Sequence, residues 1–238
     1  MARCAALSIR RLYHDRAVDQ EIDPDGLNPG VALTIHTHGD FSNWQPHIHC
    51  LVTAGVADQQ GELTPLDLPW PPTAEADFQA RILRLMKRRE RLTPEQVGEM
   101  LAWAHSGFSV HNAVCADPSS PDEMMRLAPY LLHPPIALER LRYHGKSRPL
   151  VYSGRRPDHR TGARSRAFDP FEFLAEFCLH IPPPRLHLTR LYGAYSTRHR
   201  VEQARLPEGS KHSVAVSGND GCGLLRGNPL PGPAKAES

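Results

Sequence analysis

The chain has 238 residues with 28 Lys and Arg against 26 Asp and Glu, a net charge of +2. That length suits one large or two small domains, and the near-neutral balance gives no global signal for nucleic acid. Its five cysteines stand far apart with no CxxC pair, which argues against a zinc ribbon within this chain and against a disulfide scaffold and fits a reducing compartment. Cys50 and Cys178, set in apolar runs, read as small core residues. No run of about 18 apolar residues occurs, so neither export nor membrane spanning is indicated.

In chain order, residues 1–30 read as the tail of a helix and then a loop, DPDGLNPG. GVALTIHTHG comes next as a strand with Val31, Leu33 and Ile35 on one face and Ala32, Thr34, His36 and His38 on the other. HIHCLVTAG is a second strand carrying His47, His49, Leu51 and Thr53 on one face, and the connection containing Gly39 and Pro46 reads as a hairpin loop. A tightly closed antiparallel pair would set His36 opposite His49 and His38 opposite His47. The acidic, proline-rich stretch GELTPLDLPWPP lies beyond it.

Three helix starts share one punctuation: Thr93-Pro94-Glu95-Gln96, Ser120-Pro121-Asp122-Glu123 and Asp169-Pro170-Phe171-Glu172. Each offers an N-cap, proline at the first helical position and Glu or Gln at the third. The first helix is expected to reach about Ser106, with FSVHNAVC behind it as a strand. The second carries EMMRLAPYLL, and the third is the apolar FEFLAEFCLH. From about residue 206 the pattern has no helical period and reads as a disordered tail.

Four histidines fall within His36–Cys50. Two imidazoles at i and i+2 on a strand share a face, and a third from the neighbouring strand would complete a transition-metal site with open coordination positions. Such a site can polarise a phosphate oxygen. The same spacing also suits a solvated or hydrogen-bonded hairpin, and no HExxH helix supports a zincin. Between Arg155 and Arg200 stand nine arginines, four acidic residues and four histidines. That is either a solvated face or a polyanion-binding surface. No Walker motif is present, so any melting of a duplex would have to be supplied from elsewhere.

The order HTHGDFSNWQPHIHCLVTAG, LAWAHSGFSVHNAV, RLAPYLLHPPIALERL and VYSGRRPDHRTGARSRAFDPFEFLAEFCLHIPPPRLHLTRLYGAYSTRHR resembles the HUH tyrosine transposases of rolling-circle insertion sequences, over roughly residues 25–201. The resemblance implies an α+β fold, an HUH-endonuclease-like antiparallel sheet with helices leading into a helical basic region. By it, His47-Ile48-His49 matches the His-hydrophobic-His motif, His36 is the expected third metal ligand, and His38 is held in reserve. Gln45 stands where a further histidine is often seen. Tyr130 matches the nucleophilic tyrosine ahead of Pro134, Pro135, Ala137, Glu139 and Arg140. Arg126 occupies the place of a second tyrosine, as in single-tyrosine members.

The activity implied by this resemblance is that of a transposase that nicks and religates single-stranded DNA through a 5′-phosphotyrosine. It would use a divalent ion, magnesium or manganese. The alternative is a DNA-binding remnant that no longer cuts. Arg155, Arg156, Arg185, Arg190, Tyr192, Tyr195 and Arg198 are the expected DNA contacts, with Tyr152 also among the interleaved aromatics. Single-stranded DNA at element ends and target, with host replication or helicase proteins, are the implied partners in a bacterial, nucleoid-associated cytoplasmic setting; no membrane is implied. The implied organisation is a partial leading segment (1–30), a nuclease core (31–150), a basic DNA-contacting region (151–205) and the tail (206–238). Relatives carry more sequence at both ends, so the chain resembles a truncated copy whose sheet would lose a covering strand and helix. Pro129, directly before Tyr130, is expected to strain the nucleophile's helix at a cost of about 3 kcal/mol if it lies in the interior.

Overall fold

The fold is described from a computed structural model, which covers residues 1–205 apart from 42, 59–62, 67–71, 105, 112–114, 118–119, 144, 146–148 and 159–160. The expected tail from 206 therefore lies outside the described residues. The architecture is α+β with antiparallel sheets. Strands β1 (Val31–His38) and β2 (Trp44–Val52) form the expected hairpin, and β8 (Thr189–Tyr192) pairs antiparallel with the other edge of β1. The basic segment thus contributes a strand to the sheet that bears the histidines.

The register differs from the expected one. His36 faces His47 and Thr34 faces His49, and a bulge between His36 and His38 sets His38 opposite Trp44. The cause is a shorter turn. Gly39 N–H donates to Asn43 O at 2.9 Å, so β2 begins at Trp44 and Pro46 lies inside the strand. Between His36 and His47 the shift is two residues, an even number, so each side chain keeps its face.

One face of this sheet is covered by a helix. Helix α1 (Ala2–Asp19) places Ala2, Ala5, Ala6, Ile9, Tyr13 and Ala17 against Val31, Leu33, Val56 and Leu66. A small side chain at each alanine lets the helix approach the sheet closely, and Tyr13, fully buried, anchors it by donating its hydroxyl to Thr53 O. The segment that reads as the tail of a helix carries five turns here, and they pack on the core. Val56 and Leu66 come from and beside a short hairpin, β3 (Gly55–Ala57) with β4 (Leu63–Pro65).

Helix α2 (Pro72–Arg88) is not expected from the sequence pattern. It docks on α1 through Asp77, which accepts from Ser8 Oγ at 2.7 Å and pairs with Arg81 at 2.6 Å and Arg11 at 3.1 Å. The three capped starts hold. In α3 (Pro94–Ala102) Thr93 and Gln96 form a reciprocal capping box. In α4 (Pro121–Leu131) Glu123 N–H reaches Ser120 Oγ at 3.4 Å. In α5 (Pro170–Cys178) Asp169 accepts from Phe171 and Glu172 N–H. Helix α3 stops four residues short of the expected end, and the described residues 108–111 are not in a strand; 112–114 lie outside the described residues.

A second sheet, β5 (Leu141–Arg142), β6 (Leu150–Ser153) and β7 (Ser165–Phe168), packs Leu150, Tyr152 and Phe168 with Phe173 of α5. Phe41, from the tip of the β1–β2 hairpin, completes that core. The hairpin is thereby plugged into the second sheet, and Gly154 abuts the tip of the Phe41 ring, where a Cβ would collide with it. Two expectations fail here. Tyr152 is 3% exposed and its hydroxyl accepts from Ala137 N–H, so it offers no face to a base. Cys178 is exposed rather than in the core, because only Phe173 of α5 is buried; Cys50 is half-buried in the β2 strand. Helix α6 (Thr197–Ala204) ends the described chain. No described helix is long and apolar enough to cross a membrane.

Candidate functional site

The face of β1 turned away from α1 carries His36 and His38. His36 and His38 are 4% and 8% exposed, and His47 and His49 project beside them from β2. Ring centroids lie 4.5 Å apart for His36 and His49, 5.4 Å for His36 and His47, and 4.9 Å for His47 and His49. One nitrogen from each of these three imidazoles falls within 4.8 Å of the others, and no other such trio of His, Cys, Asp or Glu occurs among the described residues. His38 touches His36 at 5.2 Å and His47 at 6.3 Å but stands outside the trio.

The proton positions follow from the partners. His47 Nδ1–H donates to Gln45 O at 2.8 Å, so its Nε2 carries the lone pair. It accepts there from His49 Nε2–H at 3.0 Å, and an ion would take that proton's place between two nitrogens that lie ~3.3 Å apart when both bind one tetrahedral ion at about 2.0–2.1 Å. His49 Nδ1 is buried without a partner. His36 Nε2–H donates to Leu131 O at 3.0 Å, which leaves Nδ1 as its free nitrogen. A ring nitrogen held by a carbonyl while the other remains free is the usual support of a metal-binding imidazole. Burial, reinforced by neighbouring imidazoles, pushes His49 and His38 down to about 4, and burial also lowers His36. Neutral imidazole is the ligating form, so the trio is chemically fit to hold a cation.

The bond from His36 to Leu131 O does a second thing. It ties the last turn of α4 to β1, and Tyr130 immediately precedes that carbonyl. The Tyr130 ring sits 4.3 Å from the His49 ring, with the side chain 44% exposed. Burial raises its phenol above the ordinary value. Pro129 lies inside α4, but the helix ends two residues later at Leu131. The carbonyl that Pro129 cannot serve belongs to Met125, an exposed residue within reach of water.

Three residues not singled out from the sequence complete the surroundings. His133, just past α4, has its ring 6.2 Å from His38 and accepts from Arg155 Nη2 at 3.3 Å. Burial and then Arg155 hold it below its ordinary value. Asp40 Oδ2 accepts from the backbone N–H of Arg155 at 2.7 Å and Arg156 at 3.0 Å, while Oδ1 lies 3.5 Å from Arg140. His180, buried behind α5, bonds through Nδ1 to Thr37 Oγ1 at 3.0 Å and meets the His38 ring at 5.8 Å. A short acidic residue after Gly39 and histidines in LLHPP and CLHIPPP are visible in the sequence, but nothing in their spacing links them to the hairpin.

Of the expected DNA contacts, Arg155 is thus brought to the histidines, and Arg156 is held beside it. Arg190 and Tyr192 lie on β8, opposite Leu33 and Val31; Arg190 is exposed and Tyr192 packs partly on the core. Tyr195 stands in the 3-10 turn after β8, 39% exposed. Arg185 is exposed in a turn at positive φ, and Arg198 on α6 is paired with Glu202 at 2.9 Å.

Residues 30–203 match the family model described as "Putative transposase". The chain is 27% identical over 185 residues to the transposase for insertion sequence element IS801 of Pseudomonas savastanoi pv. phaseolicola. That alignment takes in 73% of this chain and 45% of the relative, so the chain spans less than half the length of the protein it matches. No solved structure matches.

Proposed function

We propose, for a chain that belongs to the transposase family matched over residues 30–203, that it cuts and rejoins single-stranded DNA with Tyr130 as nucleophile. His36, His47 and His49 would hold the divalent ion. The observation that carries this reading is the placement of the Tyr130 ring 4.3 Å from His49, a member of the only metal-capable trio among the described residues.

The chemistry runs as a transesterification. The Tyr130 oxygen bonds to phosphorus as the bond from phosphorus to the 3′ oxygen breaks. The phenol proton passes to solvent, which the half-exposed side chain reaches, and the departing oxygen takes up a proton to become a 3′-hydroxyl. Rejoining reverses these steps, and the retained ester makes a nucleotide cofactor unnecessary. A raised phenol pKa keeps Tyr130 protonated near neutrality, so attack needs help in shedding that proton. His36, His47 and His49 would hold an ion whose charge would polarise the scissile phosphate. An all-imidazole donor set suits a later first-row transition ion better than magnesium or manganese, so the two expected ions would bind the trio weakly. Arg155, Arg156, Arg185, Arg190 and Arg198 would track the phosphate backbone, with residues 31–150 as the catalytic part and 151–205 as the DNA-contacting part.

Single-stranded oligonucleotides spanning ends of elements of this family, incubated with the full chain and manganese, test the reading. A protein–DNA adduct stable to denaturation is expected, absent in Tyr130→Phe and His47→Ala and absent with chelator. A second reading, favoured by Pro129 inside α4, is a chain that holds DNA without cutting it. Strand binding by the folded wild type with no adduct at any metal concentration would select it.

A further inference from the structure

Trp44 opens β2 at the rim of the histidine cluster and takes no part in the chemistry above. It faces His38 across the ladder and is 60% exposed. Its indole lies nearly parallel to the His180 imidazole, at 13° with centroids 6.0 Å apart. His180 is 8% exposed and fixed from behind by Thr37. One side of the indole is thus braced by an imidazole that is itself bonded to β1, while most of the ring stays open to solvent.

Single exposed aromatics are common and need no explanation. The setting of Trp44 is different. Ring contacts run from Trp44 to His180, from His180 to His38 at 5.8 Å, and from His38 to His36 at 5.2 Å. Two intervening rings thus link the indole to the metal-capable trio. The indole is a flat, rigid surface with few rotatable bonds, already oriented, so little ordering cost remains for a planar partner.

We infer that Trp44 is a stacking platform for a nucleobase flanking the scissile phosphate, with His180 as its buttress. This rests on the reading of the site as one that acts on single-stranded DNA. Stacking on an aromatic side chain is open to any base with a free face, so the contact carries little sequence preference. A paired base inside a duplex has no such face to offer. Trp44 thereby contributes selectivity for unpaired strands.

The test compares affinity of the full chain for oligodeoxyadenylate and for an abasic sugar-phosphate strand of equal length, for wild type, Trp44→Phe and Trp44→Ala. The wild type is expected to prefer the strand with bases, and Trp44→Ala to lose about tenfold on that strand only, with Trp44→Phe in between. Duplex affinity should be unchanged in both variants, and circular dichroism should report wild-type folding. Equal affinity of wild type and folded Trp44→Ala for oligodeoxyadenylate overturns the platform while leaving the proposed function standing. Equal loss on the abasic strand also overturns it, because the effect would not be on bases. Failure of the wild type to bind any single strand overturns the functional reading and the platform together.

Discussion

Replacing Asp40 by alanine should loosen the joint between the histidine hairpin and the second sheet. Its carboxylate receives the backbone N–H groups of Arg155 and Arg156 at 2.7 and 3.0 Å and lies 3.5 Å from Arg140. Hydrogen bonds to a charged group contribute about 1.5–3 kcal/mol each when buried. The Asp40 side chain is 33% exposed and water can take over both amides, so the pair belongs well below that sum. The long contact to Arg140 adds about 0–1 kcal/mol. Together these give a loss of about 2 kcal/mol, or ~4–8 °C in melting temperature for a chain of this size. Asp40→Asn keeps one acceptor oxygen for the amides and should lose about half as much. The same change frees the loop that sets Arg155 against His133, so affinity for single strands should fall several-fold. Thermal melts of the three proteins decide it. An Asp40→Ala chain melting within ~1 °C of wild type would refute the idea that this carboxylate joins the two parts.

Four further outcomes are expected. Gly154→Ala puts a methyl group into the Phe41 ring and should destabilise the fold by about 1–3 kcal/mol, as overpacking does, seen as a lower melting temperature. Gly193 has φ 57° and a Cβ there would fall on the Pro29 carbonyl oxygen, so Gly193→Ala should free the end of β8, detected as faster amide exchange in β1 and β8. Manganese at about a hundred times its dissociation constant should add about 2.7 kcal/mol of stability to wild type and far less to His47→Ala, read by thermal shift. In chelator, stability should fall with acid. His38 and His49 are held down to about 4 in the folded chain against ~6.5 unfolded. The folded state therefore takes up fewer protons, and the stability present above pH ~6.5 is lost progressively towards pH ~4. A melting temperature flat across that window would contradict the buried, neutral state of the cluster.

Local signals in the sequence are reliable where the physics is local. Strand alternation places the four histidines on one face, and three N-caps with prolines behind them mark the starts of α3, α4 and α5 to the residue. The register is not legible, since it depends on how Gly39 and Asn43 close the turn and on the bulge after His36. Helix α2 escapes notice because it begins at Pro72 behind Trp70-Pro71, where the sequence offers no Ser, Thr, Asp or Asn to announce a start; Phe78, Ile82, Leu83 and Met86 do carry a helical stripe. His133, Asp40 and His180 reach the site through packing between segments about a hundred residues or more apart in sequence. No spacing rule joins them. Tyr152 illustrates the converse error: an aromatic among arginines suggests base stacking, whereas alternation in β6 turns it into the second core.

The covalent linkage itself is the most direct test of the central claim. Trypsin cuts after Arg126 and Arg140, releasing Tyr130 in the peptide Leu127–Arg140, whereas Tyr192 and Tyr195 leave together in Leu191–Arg198. After reaction with a single strand and manganese, and then nuclease trimming, mass spectrometry should find the nucleotide remnant on Leu127–Arg140 and on Tyr130 within it. A remnant on Leu191–Arg198, or none on any peptide from folded protein that binds the strand, would contradict the assignment of Tyr130 as the nucleophile.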